Sequence, residues 1–363
     1  MVLAMKILTV LGARPQFIKA SVVSHSMRQS GNFEEVLVHT GQHFDANMSK
    51  VFFEDLGMQK PDYFLDINGG GHGVMTGRML EQLEKVLLIE KPDAVLVYGD
   101  TNSTLAGALA AAKLHLPVAH VEAGLRSFNM AMPEEINRIL TDRISRWLFT
   151  PTAAASANLH REGVASIDIK EVGDVMYDVA LHYGAQVNAT GRMLAQLGLL
   201  PASYVLATIH RAENTDCDKR LRIIVDSLES IALNVPVVWP LHPRTRGALL
   251  RIGRLATLSS NIRLIDPLGY LDMVQLEKYA AVIATDSGGV QKEAFFYRVP
   301  CVTLRDETEW GELVDSGWNR LAPPHSATSV VNTIEAAIGS KGQPVEPYGK
   351  GDAAQRIVNA LKG

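Results

Sequence analysis

The chain has 363 residues, a length that suits two domains, and its 47% apolar and 20% charged residues are typical of globular proteins with sizeable cores. Its 35 basic and 39 acidic residues give a net charge of −4, which argues against a nucleic-acid-binding protein. Two cysteines are too few for a disulfide framework or a zinc site, and no apolar run is long enough to span a membrane. Because the N-terminus also lacks the basic start of a signal peptide, we expect a cytoplasmic protein.

Short apolar runs alternate with helical patterns along the first half of the chain. They predict strands over residues 6–11, 36–40, 94–98 and 118–121, and helices from about residue 16 and over 75–90 and 103–114. Residues 12–15 are predicted to form the loop between the first strand and the first helix. Continuous apolar strands joined by helices indicate a parallel sheet buried on both faces.

The second half repeats this alternation. It predicts strands over residues 204–208, 235–240, 262–265, 281–285 and 299–304, with a helix over 220–232. We place the domain junction near residues 175–190, which gives a first domain over 1–182 and a second over 183–349. A terminal helix within 350–363 is expected to pack back on the first domain. The predicted fold class is α/β, with two Rossmann-like doubly wound domains facing a cleft lined by the carboxyl ends of their strands.

Polar residues follow the predicted strands at corresponding places. Asp100 and Glu122 come after strands of the first half, while His210 and the segment 286–289 come after strands of the second half. Any one of them is compatible with an ordinary turn. Four in the same register favour a shared site in the cleft.

The segment 286–293 has a strand that runs into a Gly-Gly turn and then a helix. Backbone N–H groups and the helix dipole at Ser287, Gly288 and Gly289 favour a bound phosphate, and Glu293 lies two turns further on, where it is suited to ribose hydroxyls. The alternative is a serine N-cap with glycines for tight packing. The chain has no GxGxxG pattern, so nothing supports a bound dinucleotide.

Two basic residues follow the first strand, Arg14 on the loop and Lys19 on the helix. Both are suited to an anionic diphosphate. The alternative is a solvated arginine and a surface lysine, and this segment alone favours that alternative.

Acidic residues supply the most informative pattern. Asp100, Glu122 and Glu134 lie in or near strand ends, and His210 adds a group that titrates near neutrality. Several titratable groups around one ligand are what proton abstraction and return require. Glu134 and Glu135 also follow Pro133, where acidic residues stabilise a helix N-terminus, so we expect one of the two to serve only that purpose. No metal-ligand spacing is present, and no cofactor is expected.

Several longer motifs identify a family resemblance. The motifs are Gly12-Ala-Arg-Pro-Gln16, His39-Thr-Gly-Gln-His43, Gly99-Asp-Thr-Asn-Ser-Thr104, His120-Val-Glu-Ala-Gly-Leu-Arg126, Met132-Pro-Glu-Glu-Ile-Asn-Arg138, residues 208–214, Leu241-His-Pro-Arg244, residues 286–293 and Arg305-Asp-Glu-Thr-Glu309. Together they resemble the non-hydrolysing UDP-N-acetylglucosamine 2-epimerases. The matches run in order from about residue 6 to 357 and so cover nearly the whole chain.

The resemblance implies a GT-B type fold, a homodimer, and a reaction in which UDP leaves the sugar and returns. Its implied catalytic set is Asp100, Glu122, Glu134 and His210. The implied nucleotide contacts are Arg14, Lys19, Arg138, His242, Ser287, Gly288, Gly289 and Glu293. The implied partner is a UDP-linked N-acetylated sugar, with no nucleic acid and no membrane.

Two departures from the family pattern bear on the substrate. Thr308-Glu-Trp-Gly-Glu312 stands where many members read Thr-Glu-Arg-Pro-Glu. Together with the following residues 313–319 and with residues 13–20 and 44–49, it resembles the branch acting on UDP-2,3-diacetamido-2,3-dideoxy-glucuronic acid. That branch makes the manno epimer for bacterial surface polysaccharide, such as O-antigen. Residues 69–73 contain no arginine, which some relatives use to bind an activating UDP-sugar, although Gln42 and His43 are present.

The sequence therefore predicts C2 epimerisation of the diacetamido-glucuronate. Three alternatives remain open: an epimerase of UDP-N-acetylglucosamine, a GT-B glycosyltransferase, and a non-catalytic nucleotide-sugar sensor. A glycosyltransferase would share the fold and the UDP pocket, but it would need an acceptor groove and no group of three carboxylates.

Overall fold

The computed structural model describes residues 4–42, 53, 56–258 and 260–362. The chain divides into two compact units, which we call the N-terminal unit (Met1–Val179 with Glu346–Gly363) and the C-terminal unit (Ala180–Val345). The boundary falls inside one helix, Val175–Gly184. Within the described ranges, no helix is both long and apolar enough to cross a membrane.

The N-terminal unit is built on one parallel sheet. Its strands in the described residues are β1 (Met5–Leu11), β2 (Phe33–His39), β3 (Tyr63–Phe64), β4 (Ala94–Tyr98), β5 (Val118–Val121), β6 (Trp147–Thr150) and β7 (Ile169–Glu171), in the order β3-β2-β1-β4-β5-β6-β7. The helices described are α1 (Arg14–Ser30), α2 (His72–Glu90), α3 (Asn102–Lys113), α4 (Pro133–Ile144), α5 (Ala153–Arg161), α6 (Val175–Gly184) and, from the chain end, α15 (Ala353–Leu361). Helix α15 packs on α1.

The C-terminal unit repeats this plan. Its strands are β8 (Val205–Thr208), β9 (Val237–Pro240), β10 (Ile262–Ile265), β11 (Val282–Thr285), β12 (Cys301–Thr303) and β13 (Asn319–Leu321), in the parallel order β10-β9-β8-β11-β12-β13. Its helices are α7 (Arg192–Gln196), α8 (Ala212–Thr215), α9 (Asp218–Ala232), α10 (Pro243–Arg251), α11 (Tyr270–Lys278), α12 (Gly288–Phe296), α13 (Gly311–Asp315) and α14 (Ala327–Ala337). Both strand orders are those of doubly wound sheets, so the predicted α/β class with two Rossmann-like domains of GT-B type is confirmed.

The central strands are buried because helices cover both faces of each sheet. All five residues of β4 are fully buried, as are those of β8 apart from the terminal Thr208. Helix α3 begins at a Thr101 N-cap whose side chain accepts from the Thr104 backbone N–H. The polypeptide therefore changes from strand to helix immediately after β4, and this places the Gly99–Asp100 turn at the carboxyl end of the sheet.

One predicted boundary is wrong in a way that matters for the site. Helix α1 begins at Arg14, so Arg14 is the first helical residue and does not lie on the preceding loop. Pro15 follows it in the first turn, where proline is tolerated because its missing N–H has no helical partner to lose. Strands β3, β6, β7 and β13 were not predicted, and β3, β7 and β13 have only two or three residues.

Candidate active site

The turn after β4 carries Asp100. Gly99 has a φ of +63°, a left-handed conformation that glycine adopts without strain. Asp100 Oδ2 lies 2.6 Å from Nη2 of Arg138, whose Nη1 lies 2.9 Å from Oε2 of Glu135. Arg138, a predicted nucleotide contact, is therefore held by two carboxylates of its own unit and orients the Asp100 side chain.

Glu122 follows β5 directly and has a strained backbone. Its φ is +71°, which costs a non-glycine residue about 1–2 kcal/mol, and strain of this kind is concentrated at functional sites. The side chain is 8% exposed and forms an ion pair with Lys19 of α1. Lys19, another predicted nucleotide contact, thus engages the second predicted catalytic carboxylate.

The two glutamates at the start of α4 have separate environments. Glu135 is buried and accepts hydrogen bonds from the backbone N–H groups of Ser127 (2.9 Å) and Phe128 (2.8 Å). Burial alone would raise the pKa of Glu135, but these bonds and the Arg138 contact hold it below its ordinary value. Glu134 is exposed and lines a cavity. Glu135 is therefore held by groups of the chain itself, whereas Glu134 lines the cavity.

A cavity of about 280 Å³ in the N-terminal unit brings several predicted residues together. Its lining residues are Ala13, Pro15, Gln16, Lys19, Gln42, His72, Gly99, Asp100, Thr101, Asn102, Pro133, Glu134 and Asn137. Lys19, Asp100 and Glu134 thus line the same cavity, and Glu122 is bound to Lys19. Arg14 is not among the described residues that line this cavity.

Five polar residues of the cavity wall were not predicted as ligand contacts: Gln16, His72, Thr101, Asn102 and Asn137. Asn137 lies three residues after Glu134 on the same helix face, and its Nδ2 donates to the Asp100 carbonyl (2.9 Å). Gln16 donates to the Tyr98 carbonyl (2.7 Å) and accepts from the Gly12 N–H (2.8 Å), so it fastens the loop after β1 to β4. The helical spacing from Glu134 was a usable signal for Asn137.

Part of one motif is outside the described residues. His43 and residues 44–49, which contributed to the family and branch resemblance, fall there. Gln42 is described, and its Oε1 accepts from the backbone N–H (2.9 Å) and the hydroxyl (2.7 Å) of Ser103. This contact ties the end of the described segment to the N-terminus of α3.

The C-terminal unit presents the Gly-Gly turn at the start of α12. Ser287 is the N-cap and accepts from the Val290 N–H at 3.5 Å. A Cβ built on Gly288 would meet no atom closer than 3.6 Å, and one on Gly289 none closer than 3.9 Å. Both distances are ordinary van der Waals contacts, so internal packing does not require glycine at either position. The glycines leave the helix N-terminus open to a ligand.

His210 follows β8 and is fixed through a buried carboxylate. Asp286 is fully buried and accepts from the backbone N–H groups of His210 (3.0 Å) and Arg211 (3.0 Å) and from Asn214 Nδ2 (3.0 Å). Its Oδ1 also lies 3.5 Å from His210 Nδ1. Asp286 was part of a recognised motif but was given no role. The structure makes it the anchor of His210.

His242 lies close to His210, with 5.5 Å between the ring centroids. Its Nδ1 accepts from the Arg244 backbone N–H (3.1 Å) and so caps α10. Burial, with the nearby charges of His210 and Arg244, lowers its pKa. His242 therefore has a neutral ring with its other nitrogen available as a hydrogen-bond donor.

Glu293 lies in α12 and interacts electrostatically with the buried side chain of Glu277. Burial raises the pKa of Glu293 to about 7, and the neighbouring charge of Lys292 opposes the shift. Burial also raises the pKa of Glu277, which is 1% exposed, and the charge of Glu293 adds to that shift. Two acidic groups so placed do not readily ionise together.

The segment that departs from the family pattern contacts α12. Trp310 Nε1 donates to the Gly288 carbonyl (2.9 Å), and Lys292 Nζ lies 4.5 Å from the Trp310 ring centroid. Thr308 Oγ1 donates to Gln291 Oε1 (2.6 Å). The substituted residues therefore support the helix N-terminus where a phosphate is expected.

Fold and site together define a class. Two doubly wound domains, one with carboxylates at its strand ends and the other with an open Gly-Gly helix N-terminus, are typical of GT-B type enzymes that act on nucleotide sugars. A sequence profile described as UDP-N-acetylglucosamine 2-epimerase matches residues 25–362. The chain belongs to this family, and it is an isomerase of the non-hydrolysing UDP-sugar 2-epimerase type.

Individual relatives agree with this assignment. A UDP-2,3-diacetamido-2,3-dideoxy-D-glucuronate 2-epimerase from Pseudomonas aeruginosa is 56% identical, over 98% of this chain and 99% of its own. The Methanocaldococcus jannaschii UDP-GlcNAc 2-epimerase, solved with UDP-GlcNAc and UDP, is 43% identical with a TM-score of 0.85 over 99% of both chains. The Neisseria meningitidis UDP-GlcNAc 2-epimerase bound to UDP-GlcNAc is 31% identical with a TM-score of 0.87 over 99% of this chain and 100% of its own. The predicted family is thereby confirmed, and the first relative supports the predicted branch.

Proposed function

We propose that this enzyme converts UDP-2,3-diacetamido-2,3-dideoxy-D-glucuronate to its manno epimer at C2. The observation that carries the proposal is the 56% identity to the Pseudomonas enzyme over nearly the full length of both chains. UDP-N-acetylglucosamine is the second candidate substrate, because a Methanocaldococcus jannaschii UDP-N-acetylglucosamine 2-epimerase is 44% identical over 98% of this chain.

The C2 hydrogen of such a sugar is not next to a carbonyl, so direct deprotonation is very slow. In the proposed reaction the C1–O bond breaks and its electron pair leaves with UDP. A carboxylate takes the C2 proton, and the C–H electron pair forms the C1=C2 bond of a glycal. Return of a proton to the opposite face of C2 and re-addition of UDP to C1 complete a balanced isomerisation that needs no redox cofactor.

The carboxylates of the N-terminal unit suit the proton transfers. Asp100 and Glu134 line one cavity, and Glu122 is held next to it through Lys19. More than one carboxylate is useful, because the proton leaves from one face of C2 and returns to the other. Arg138 and Lys19 orient two of these groups, which matters because misplacement by about 1 Å costs on the order of 100-fold in rate.

The C-terminal unit suits UDP. We assign the diphosphate to the α12 N-terminus at Ser287, Gly288 and Gly289, where backbone N–H groups and the helix dipole stabilise negative charge. Glu293 is assigned to the ribose hydroxyls and His242 to a polar contact with the nucleotide. His210, anchored by Asp286, completes the proposed catalytic set, and Arg14 is assigned to the diphosphate.

The test is solvent exchange with each UDP-sugar in deuterated water, followed by NMR. We expect deuterium at C2 and the manno epimer, without any acceptor, and faster turnover of the diacetamido-glucuronate than of UDP-N-acetylglucosamine. The reverse preference would make the second candidate the substrate. No C2 exchange with either sugar would refute the proposal, and transfer seen only with an acceptor would favour a glycosyltransferase. Scrambling of a bridging ¹⁸O label in the diphosphate tests C1–O cleavage separately.

We also propose a homodimer. Large apolar side chains are exposed at Phe128, Met130, Ile136 and Leu140, in α4 and the loop before it, and clustered exposed apolar residues are typical of interaction surfaces. Light scattering is expected to give twice the chain mass, and Ile136→Glu with Leu140→Glu is expected to give the monomer. A monomeric wild-type protein would refute this proposal.

We further propose that the product serves the synthesis of bacterial surface polysaccharide, such as O-antigen, and that the enzyme acts in the cytoplasm. A strain lacking the enzyme is expected to lose the manno-configured sugar from its surface polysaccharide. Retention of that sugar would refute this role.

A further inference from the structure

A buried histidine lies directly beneath the Gly99–Asp100 turn. The side chain of His120, in β5, is fully buried, with Nδ1 2.7 Å from Asp142 Oδ1 and Nε2 2.7 Å from the Gly99 carbonyl oxygen. Neither the reaction nor UDP binding, as assigned above, uses this ring. It nevertheless joins the strand that precedes Glu122 to the turn that carries Asp100.

The hydrogen-bonding role of each ring nitrogen follows from its partner. A carbonyl oxygen only accepts, so Nε2 carries a hydrogen. Burial alone would raise the pKa of Asp142, but His120 and Arg126 hold it below its ordinary value, so Asp142 is a carboxylate. Nε2 therefore donates to the Gly99 carbonyl, while Nδ1 contacts the Asp142 carboxylate, so the ring clamps the turn to that carboxylate.

Gly99 is constrained on three sides. Its carbonyl binds His120, and its N–H donates to the Val121 carbonyl (3.0 Å). A Cβ built on Gly99 would lie 3.3 Å from Glu122 Oε2, so the carboxylate of Glu122 rests against the glycine. The position of this one backbone unit thus sets both Asp100, the next residue, and the Glu122 side chain.

The far side of His120 is also fixed. Asp142 Oδ2 accepts from Arg126 Nη1 (2.7 Å) and from the Gly124 N–H (3.1 Å). Arg126 in turn makes two bonds of 2.7 Å to Glu162. The ring therefore cannot follow a displaced turn, since its second nitrogen is bound to a rigid network.

We propose that His120 is a positioning residue for the epimerisation. It holds the Gly99 carbonyl, and through this backbone unit it places the Asp100 and Glu122 carboxylates where they reach the C2 proton. This inference rests on the proposed function. It assigns His120 no contact with the substrate, and it predicts that turnover depends more on the hydrogen bond from Nε2 than on the contact from Nδ1.

Two amide variants test the hydrogen bonds of the two ring nitrogens separately. His120→Gln places an amide N–H near the Nε2 position and keeps the donor to Gly99, while His120→Asn places one near Nδ1 and keeps only the contact to Asp142. The control is Asp178→Asn, a buried carboxylate of the same unit that accepts from the Ala353 (3.1 Å) and Ala354 (2.8 Å) N–H groups. Active enzyme is counted by calorimetric UDP stoichiometry, so unfolded protein does not lower the measured kcat.

We expect His120→Asn to lower kcat by about 100-fold and His120→Gln by about tenfold or less, with KM and UDP affinity changed by less than about threefold in both. Asp178→Asn is expected to lower Tm but leave kcat per active enzyme within about twofold. Equal kcat losses in the two His120 variants, or losses that merely track Tm, would overturn the proposal.

A second measurement does not depend on activity. Amide hydrogen exchange at residues 99–101 is expected to accelerate in His120→Asn and to stay near the wild-type rate in His120→Gln. Unchanged exchange in both variants would refute the clamp. If wild-type enzyme shows no C2 exchange with either sugar, the proposed function fails, and the amide exchange still decides whether His120 holds the turn.

Discussion

Asp286→Asn is the sharpest test of how the C-terminal unit positions His210. The carboxylate receives donors on both oxygens: His210 N–H at Oδ1 (3.0 Å), and Arg211 N–H (3.0 Å) and Asn214 Nδ2 (3.0 Å) at Oδ2. Asparagine has one acceptor and one donor in the same shape. If its nitrogen occupies the Oδ2 position, it faces all three donors, because the His210 N–H also lies 3.2 Å from Oδ2. If it occupies the Oδ1 position, it faces the His210 N–H, which keeps only that longer bond.

Either orientation loses at least one hydrogen bond to a charged acceptor and leaves a donor facing a donor in a fully buried place. Hydrogen bonds to charged groups contribute about 1.5–3 kcal/mol, so we expect the free energy of unfolding to fall by about 3 kcal/mol. For a domain of this size that corresponds to a Tm lower by about 6–12 °C. A displaced His210 is expected to lower kcat by about 100-fold.

Calorimetry measures the stability change, and C2 exchange measured at saturating UDP-sugar gives kcat. Asp306→Asn is the matched control, because Asp306 is exposed and its ion pairs with Arg220 (2.8 Å) and His325 (3.0 Å) are worth about 0–1 kcal/mol. A variant Asp286→Asn with the expected loss of stability but a kcat within about threefold of wild type would refute the view that Asp286 acts through His210.

Three further predictions concern the same units. Asp100→Asn is expected to lower turnover by about 1,000-fold while calorimetric UDP affinity changes by less than about threefold, and surviving turnover would remove Asp100 from the catalytic set. Gly99→Ala forces a side chain into a φ of +63° and against Glu122 Oε2, so it should lower unfolding free energy by about 1–2 kcal/mol and lower kcat, and an unchanged kcat would count against the position assigned to Glu122. Because the pKa of Glu293 is raised to about 7, the native state holds the carboxyl proton more tightly than the unfolded state does. The stability gained from this difference is fully present below the unfolded pKa and is lost as pH rises through the folded pKa. The Tm without UDP should therefore fall between about pH 4.5 and pH 7, and the Tm of Glu293→Gln should fall less over that range; equal falls would contradict this origin.

The strand ends were predictable because burial on both faces leaves a strong local signal. Continuous apolar runs located β4 and β5 to the residue, and the polar residues after them were recognised as candidates without any knowledge of neighbours in space. Strands of two or three residues, such as β3 and β13, offer no such run. Their pairing is set by the neighbouring strand, which local sequence does not reveal.

The two alternatives at Ser287 and the following glycines show where sequence reasoning stops. An N-cap serine and a phosphate-binding turn require the same residues in the same order. The structure contains the cap, so that interpretation is correct as far as it goes. Only the space around Gly288 and Gly289 separates the alternatives, because a Cβ fits at both places without a clash. Tight packing therefore does not account for the glycines, and both positions leave room for a ligand.

Two basic residues of the N-terminal unit, Lys19 and Arg138, form ion pairs that local sequence did not predict. Lys19 was matched to a diphosphate because it is a cation close after a strand, and Arg138 was named as a nucleotide contact by the family resemblance. Their nearest anions are instead carboxylates of the chain itself, Glu122 at a separation of 103 residues and Asp100 at 38. A contact at that separation is invisible to local sequence.

These pairings also suit the chemistry better than free cations would. A carboxylate that takes a proton from C2 and returns one must be fixed before the substrate arrives, since reorganisation during the reaction raises the barrier. Glu122 is fixed by a strained backbone and by Lys19, and Asp100 by Arg138 and the clamped turn. Loss of one cation should therefore lower kcat more than it weakens UDP binding, which is the opposite of what a diphosphate contact would produce.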